Sequence, residues 1–152
     1  GKKSEGNFSY EVLTKVEEVE ALADKLRDSS KTLAVDIETT GLNFLTDLIQ
    51  TISISSHEQT WVIPLDHKDS PFRKGEPDYA QTWKCVRKIL ENPKGRKVFH
   101  NAKFDLKFLI NYGIFTKNVW DTKIMHHLLD ENMPKSLMDL TKLYFANELT
   151  DL

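Results

Sequence analysis

The stretch Val35-Asp36-Ile37-Glu38-Thr39-Thr40-Gly41-Leu42 decides how this sequence is interpreted. Its first half alternates apolar and acidic residues, which predicts a β-strand, and the Thr-Gly pair predicts a turn after it. Alternation places Asp36 and Glu38 on one face of the strand and turns Val35 and Ile37 toward the core. Adjacent carboxylates repel each other unless a cation lies between them, and Mg²⁺ prefers carboxylate oxygens. The pair is therefore a candidate metal site, although a strand with one polar, solvated face would show the same pattern.

A second acidic position follows a short predicted strand, Lys97–His100. A helix is expected next, with Asn101 as its capping residue and Asp105 in its first turn. The helix dipole favours an acid there, so helix stabilisation alone can explain Asp105. Taken together with Asp36 and Glu38, however, three carboxylates at the ends of neighbouring elements could hold two metal ions about 4 Å apart.

These two segments resemble two motifs of a known enzyme family. Val35–Leu42 resembles the first motif of the 3′–5′ exonucleases of the DEDD superfamily, and His100–Asp105 resembles the second. The nearest resemblance is to the proofreading exonuclease domain of family A DNA polymerases, the DNA polymerase I type. It extends from about Thr32 to Phe145. The further stretches that carry it are Trp61–Leu65, Leu109–Ile114, Asp121-Thr122 and Ser136–Leu140.

The resemblance implies a ribonuclease-H-like α/β fold, a mixed β-sheet flanked by helices. It also implies a metal-dependent proofreading exonuclease that removes nucleotides as monophosphates from a single-stranded 3′ end of DNA, with two Mg²⁺ or Mn²⁺ ions. In that mechanism Asp36 would bridge both ions, Glu38 would bind the ion that activates water, and Asp105 would bind the ion beside the leaving oxygen. The resemblance places four further residues near the terminal nucleotides: Thr39, Leu42, Asn101 and Phe104. Core packing is the alternative explanation for the leucine and the phenylalanine.

The third motif of that family, which supplies a fourth carboxylate, has no match after Asp105. Tyr144 and Glu148 have a Tyr-x-x-x-Glu spacing, but they follow Asp105 too soon. We therefore expect a piece of a longer protein, in which residues 1–31 form an N-terminal arm and helix and residues 32–152 form an exonuclease domain that stops before the third motif. A polymerase domain is expected C-terminal to this chain, and the fragment alone could be inactive.

Composition limits the class of protein. The chain has 152 residues, of which 39% are hydrophobic and 29% charged, and this balance is typical of one globular domain. No apolar run approaches the roughly 18 residues of a membrane helix, and the N-terminus does not read as a signal peptide. The single cysteine fits a reducing cytosol. A cytoplasmic protein of bacterial or phage-type replication, with no membrane contact, is expected, and the net charge of −2 excludes a histone-like binder.

Positive charge is concentrated in one part of the chain. From Lys84 to Lys107 there are eight basic and two acidic residues, a local charge of +6. Lys103 and Lys107 lie one helical turn apart on either side of Asp105, so they are candidates for contacts with phosphates. A solvated helix face with an adjoining loop is the alternative. The basic residues are Lys84, Arg87, Lys88, Lys94, Arg96, Lys97, Lys103 and Lys107.

Hydrophobic periodicity and turn residues predict the remaining elements. Residues 1–6 are expected to be loose, and residues 66–78 to form a surface loop. Helices are predicted over 15–28, with Thr14 and Glu17 as a capping box, over 79–90, 102–112, 122–130 and 136–145. Strands are predicted over 33–38, over 48–56 and 60–63 as a hairpin, and over 97–100.

Two other functions remain open at this point. One is an RNA-processing 3′–5′ exonuclease of the same superfamily, such as a tRNA-trimming enzyme. The other is a non-catalytic nucleic-acid-binding domain that lacks its fourth ligand.

Overall fold

The computed structural model describes residues 2–5, 8–57 and 59–123. For residues 2–5 and residue 8 it describes the backbone only. Within these residues the chain forms three helices: α1 (Val16–Leu26), α2 (Tyr79–Leu90) and α3 (Ala102–Asn111). The strands are β1 (Lys2–Glu5), β2 (Phe8–Val12), β3 (Leu33–Thr39), β4 (Ile49–Ser55), β5 (Gln59–Pro64), β6 (Lys97–Phe99) and β7 (Val119–Asp121). None of these helices has both the length and the hydropathy to cross a membrane.

The seven described strands form one sheet in the order β1-β2-β5-β4-β3-β6-β7. β3 pairs antiparallel with β4 on one side and parallel with β6 on the other. β4 and β5 form the predicted antiparallel hairpin, and β6 and β7 are parallel. The prediction of a mixed sheet accompanied by helices is confirmed.

Alternate residues of β3 face the core. In β3 the buried side chains are Leu33, Val35 and Ile37, and those between them are partly or fully exposed. α1 buries four residues at helical spacing, and α2 buries the stripe around Trp83 and Val86. Because the apolar periods match the elements, the predicted helices over 15–28, 79–90 and 102–112 are confirmed within one to two residues at each end.

The N-terminus differs from the prediction of a loose segment. β1 pairs antiparallel with β2, and β2 pairs parallel with β5, so the first residues belong to the same sheet as the rest. Ser9 Oγ also donates to Gln59 Oε1 at 2.7 Å. The polar composition of residues 2–5 gives no alternation, so their pairing depends on a partner strand that is distant in sequence. The domain boundary at residue 31 stays a prediction.

The capping of α1 also differs from the prediction. The carboxylate of Glu18, rather than that of Glu17, accepts the backbone N–H of Lys15 at 3.0 Å and of Thr14 at 3.2 Å. The helix begins at Val16, so the third helical residue, which can reach back to the cap, is Glu18.

The predicted surface loop over residues 66–78 is partly buried. Phe72 is fully buried and Ser70 nearly so. Asp66 is also buried, and its carboxylate accepts the Tyr112 hydroxyl and the backbone N–H of Lys74, each at 2.9 Å. The many charges of the segment conceal the few residues that anchor it to the core. The described residues end at Lys123. The predicted helix over 122–130 beyond its first two residues, the predicted helix over 136–145, and Tyr144 and Glu148 therefore lie outside them.

Candidate functional site

The C-terminal end of β3 presents the two acidic residues of the first motif. Asp36 and Glu38 are exposed, while Ile37 between them is buried. The pairing with β4 shifts register between Glu38 and Thr39, so the ladder is irregular at the last residues of the strand. β-bulges of this kind bend a strand and redirect its side chains, and they are frequent beside active sites.

A short loop after β3 is held by one carboxylate. Asp47 accepts the Thr40 hydroxyl at 3.1 Å and the backbone N–H of Asn43 at 2.9 Å. A Cβ at position 41 would lie 2.6 Å from an oxygen of Asp47, so any other residue there would push this carboxylate away from its position. Leu42 is 86% exposed on this loop, so core packing does not explain it.

The start of α3 is built by residues from another strand. Asn101 has φ 66° and ψ 61°, in the left-handed region, and makes no side-chain capping hydrogen bond. The prediction that its side chain caps the helix is therefore wrong. Instead, the carboxylate of Asp121, at the end of β7, accepts the backbone N–H of Asn101 at 3.1 Å and of Ala102 at 3.0 Å.

Among the acidic side chains of the described residues, Asp105 has the pKa that is shifted furthest from its ordinary value. Only 5% of it is exposed, and its Oδ2 has no hydrogen-bond partner in this part of the chain. Burial, and after it the negative charges of Asp36, Asp121 and Glu38, raise the pKa of Asp105 to about 7. These acids therefore share one electrostatic neighbourhood, and a cation placed there would favour the ionised form of Asp105.

This arrangement fits part of a divalent-cation site. The donors are carboxylate oxygens, which Mg²⁺ and Mn²⁺ prefer, and one of them is buried without a partner. Within residues 2–5, 8–57 and 59–123, however, no three His, Cys, Asp or Glu side chains form a group that could by itself hold a metal ion. The described residues therefore offer an incomplete ligand set.

A groove of about 210 Å³ is lined by residues of the Leu42 loop and of the start of α3, including Phe104, which directly precedes Asp105 in the chain. It brings together five of the six residues predicted to contact substrate, and Thr39 does not line it. The Thr39 hydroxyl instead donates to the Gly41 carbonyl at 2.7 Å. The groove is lined by Leu42, Phe44, Asn101, Lys103, Phe104, Lys107 and Phe108.

Comparison with known proteins identifies the family to which this fold and these motifs belong. The family model described as 3′–5′ exonuclease matches residues 10–151. The chain belongs to this family. It is the exonuclease domain type of family A DNA polymerases, as the two motifs indicated.

A curated relative agrees with this assignment. The chain is 37% identical over 107 residues to DNA polymerase I of Aquifex aeolicus (strain VF5), a match that covers 70% of this chain and 15% of the relative. The exonuclease chain thus spans less than a sixth of the length of that relative.

Solved structures support the fold. The catalytic core of RRP6 from Trypanosoma brucei aligns with a TM-score of 0.66 at 23% identity, covering 90% of this chain and 34% of that one. RNase D of Escherichia coli aligns with a TM-score of 0.63 at 19% identity, covering 82% and 30%. At such identities the likeness concerns the fold alone, and it confirms the ribonuclease-H-like architecture.

The basic cluster of the exonuclease does not form one surface. Lys97 is fully buried, and its Nζ donates to the carbonyl oxygens of Asn92 and Gly95, so it cannot reach a phosphate. Lys103 and Lys107 are exposed on α3 and line the groove. Lys97 was counted in the basic stretch because sequence alone does not reveal that its side chain donates to two carbonyl oxygens.

Residues of the site that the sequence analysis did not assign include Phe44, Phe108, Asp47 and Asp121. Phe44 lines the groove, and the Lys107 ammonium lies 5.6 Å from the centre of its ring. Asp47 holds the Leu42 loop, and Asp121 caps α3. An acid directly after an apolar pair, as in Val119-Trp120-Asp121, could have indicated a strand that ends beside a helix N-terminus. No signal in the sequence singles out Phe44.

Proposed function

We propose that this chain removes nucleotides from the single-stranded 3′ end of DNA, as the proofreading part of a DNA polymerase I-like protein. The support is membership in the 3′–5′ exonuclease family and the name of the Aquifex relative. The chain spans only 15% of the length of that relative. The presence of a linked polymerase domain is therefore also part of the proposal.

Asp36, Glu38 and Asp105 are proposed to hold two divalent ions, Mg²⁺ or Mn²⁺. The single observation that supports this best is the buried, unpartnered Oδ2 of Asp105, which lies in the field of neighbouring acids. Bound there, the ions would supply a nucleophilic water and neutralise charge on the phosphate and leaving oxygen, releasing a nucleoside monophosphate. The chain itself would keep these carboxylates from forming hydrogen bonds with other side chains, so that their oxygens remain available to the metal ions.

The groove beside Asp105 is proposed to bind the terminal nucleotides. Leu42 is exposed on a loop fixed by Asp47, so it can wedge against an unstacked base. Phe104 lies 5.0 Å from Phe108, ring centre to ring centre, and offers an aromatic surface of the kind on which bases stack.

The polar residues of the groove are proposed to contact the sugar and phosphates. The Asn101 side chain would lie near the terminal nucleotides, and the main chain at Thr39, outside the groove lining, would lie near the terminal sugar. Lys103 and Lys107 are exposed cations at the groove and would contact backbone phosphates. Single strands suit such a groove, because a duplex end would have to separate before its bases could stack on the aromatic residues.

We further propose that the fourth carboxylate comes from outside residues 1–152, in a third motif that follows the exonuclease domain over residues 32–152. The absence of a third-motif match in the sequence after Asp105 motivates this proposal. Residues 1–152 alone should then hydrolyse a 3′-ended single strand far more slowly than the intact protein. Equal rates per molecule would place the fourth ligand inside this chain, and Glu148 would be the first residue to replace.

The decisive experiment follows a 5′-labelled single-stranded oligonucleotide incubated with the intact protein and Mg²⁺ or Mn²⁺. The expected product is a ladder that shortens from the 3′ end and disappears when a chelator is added. Calorimetric titration of Mn²⁺ should lose its strongest site in the variant Asp36→Ala. Release from the 5′ end, or hydrolysis unaffected by chelator, would contradict the proposal. Preference for an RNA strand would support the RNA-processing alternative instead.

A further inference from the structure

The residues between β6 and α3 are held by the end of β7. Both oxygens of the Asp121 carboxylate accept backbone N–H groups, one from Asn101 and one from Ala102, at 3.1 and 3.0 Å. Next to it, Thr122 Oγ1 lies 2.8 Å from His100 Nδ1. The last residue of β7 and the residue after it therefore contact three successive residues that lead into α3.

The clamped segment contains an unusual backbone conformation. Asn101, at φ 66°, is one of two non-glycine residues with positive φ in the described part of the chain. Such a conformation persists only where the surroundings hold it, and these conformations cluster at functional sites. Because Asp121 satisfies the helix N-terminus, the Asn101 side chain makes no capping bond and lines the groove beside Leu42 and Lys103.

The residues held by Asp121 lead directly into the first turn of α3, which contains Asp105. α3 has only ten residues, and the direction of so short a helix depends strongly on how its first turn is fixed. The Asp121 oxygens themselves are occupied by N–H groups, including that of Lys123 at 2.9 Å, so Asp121 is placed to support the site and not to bind in it.

We propose that Asp121 is a positioning residue of the exonuclease site, whose carboxylate caps α3 in place of Asn101, frees the Asn101 amide for the substrate groove and fixes Asp105 beside Asp36. This inference rests on the proposed function, because that function defines the site. The hydrogen bonds that Asp121 accepts can be measured without any nuclease activity.

The test compares two capping carboxylates in the intact protein. Asp121→Ala removes the cap of α3, and Glu18→Ala removes a matched cap, the carboxylate that accepts two N–H groups at the start of α1 outside the groove. Both variants should lower the melting temperature. At a temperature well below both transitions, kcat should fall about ten- to a hundredfold in Asp121→Ala, since a small misplacement of a catalytic group has effects of this size. Glu18→Ala should keep the kcat of the unchanged protein.

Two further measurements do not depend on turnover. Hydrogen exchange of the Asn101 and Ala102 amides should quicken in Asp121→Ala, and calorimetric titration should show weaker Mn²⁺ binding. Asp121→Asn, which keeps one acceptor oxygen, should be intermediate in all measurements and serves if the alanine variant does not fold.

The inference is overturned if Asp121→Ala retains its kcat and Mn²⁺ affinity, even when amide exchange quickens, because the cap would then serve stability alone. If the protein without any substitution has no exonuclease activity, the proposed function is refuted. The amide exchange and Mn²⁺ titrations would still decide the role of Asp121.

Discussion

Two buried ionisable groups at either end of one short segment behave in opposite ways. Lys97 begins β6 and is fully buried, and its Nζ donates to the carbonyl oxygen of Asn92 and, at 2.6 Å, to that of Gly95. Asp105 follows β6 in the first turn of α3, is 5% exposed, and has an Oδ2 without a partner in the described residues. Burial lowers the pKa of Lys97 to about 8 and raises that of Asp105 to about 7.

The surroundings of the two groups explain the difference. The turn around Lys97 is packed against the end of α1, since Asn92 Nδ2 donates to the Ser29 carbonyl at 2.8 Å and a Cβ at Gly95 would lie 2.6 Å from the Lys31 carbonyl. Lys97 completes a closed set of hydrogen bonds, as a structural residue does. Asp105 is surrounded by like charges, an arrangement that favours a bound cation. A buried ionisable group whose hydrogen bonds are made within the protein thus indicates a structural role. A buried group that lacks hydrogen-bond partners indicates a site for a bound ligand.

The largest expected effect comes from Asp105→Asn, which keeps the size of the side chain and removes its charge. The exonuclease rate should fall about a thousandfold, because a metal ion supplies several kcal/mol of transition-state stabilisation and about 1.4 kcal/mol is tenfold. The free energy of unfolding at neutral pH should stay the same or rise, because an acid is removed from beside other acids. Degradation of a 3′ end and chemical denaturation measure the two quantities. Lost stability with an unchanged rate would make Asp105 a structural residue like Lys97.

Lys97→Ala should produce the reverse pattern. Two buried carbonyl oxygens lose their donor and a cavity remains, so the free energy of unfolding should fall by about 4 kcal/mol. The rate per folded molecule, measured well below the transition, should not change. Lys94→Ala is the matched control, since Lys94 lies exposed in the same turn and should alter stability by no more than about 0.5 kcal/mol. Equal losses in the two variants would show that the buried hydrogen bonds contribute nothing specific.

The pH dependence of stability sharpens the same contrast. The folded pKa of Lys97 is about 8 against an ordinary value of 10.5, so between these values the unfolded chain holds a proton that the folded chain has released. Unfolding therefore becomes less favourable as the pH rises through this window, by up to about 3 kcal/mol from this group. The measurement is the difference in unfolding free energy between the unchanged protein and Lys97→Met from pH 7 to pH 10. A difference that stays constant with pH would mean that burial does not shift Lys97.

Sequence reasoning located the parts of the site that depend on local patterns. The alternation in β3 placed Asp36 and Glu38 on one exposed face, and the apolar period of α3 placed Asp105 in its first turn. It failed where a residue's role depends on a distant partner. Asp121 caps a helix about 20 residues earlier in the chain.

The same limit applies to the other failures. The short strands β1 and β7 have no alternation long enough to read, and only a partner strand defines them. Lys97 belongs to a charged run in sequence, and only the carbonyl oxygens of the folded turn reveal that it is buried. The assignment of metal and substrate roles to individual residues stays a prediction.

The smallest expected effect concerns the exposed lysines, which should behave like neither of the two buried groups. If Lys103 and Lys107 contact phosphates at the groove, the double variant K103A/K107A should bind single strands of every base sequence more weakly. The dependence of log affinity on log salt concentration should become shallower by about one to two units, since each phosphate contact on a single strand contributes about 0.7. The rate at saturating substrate should change little, because neither lysine is placed as a metal ligand.

The matched control for that variant is K84A/K88A, which removes two exposed lysines one turn apart on α2, away from the groove. Both double variants lower the net charge equally, so a general electrostatic effect would change both salt dependences alike. A change confined to K103A/K107A places the phosphates along α3. Equal changes would mean that these lysines act only through overall charge, and the groove beside Asp105 would then have to bind its nucleotide through Leu42, Phe44 and Phe104 without help from α3 cations.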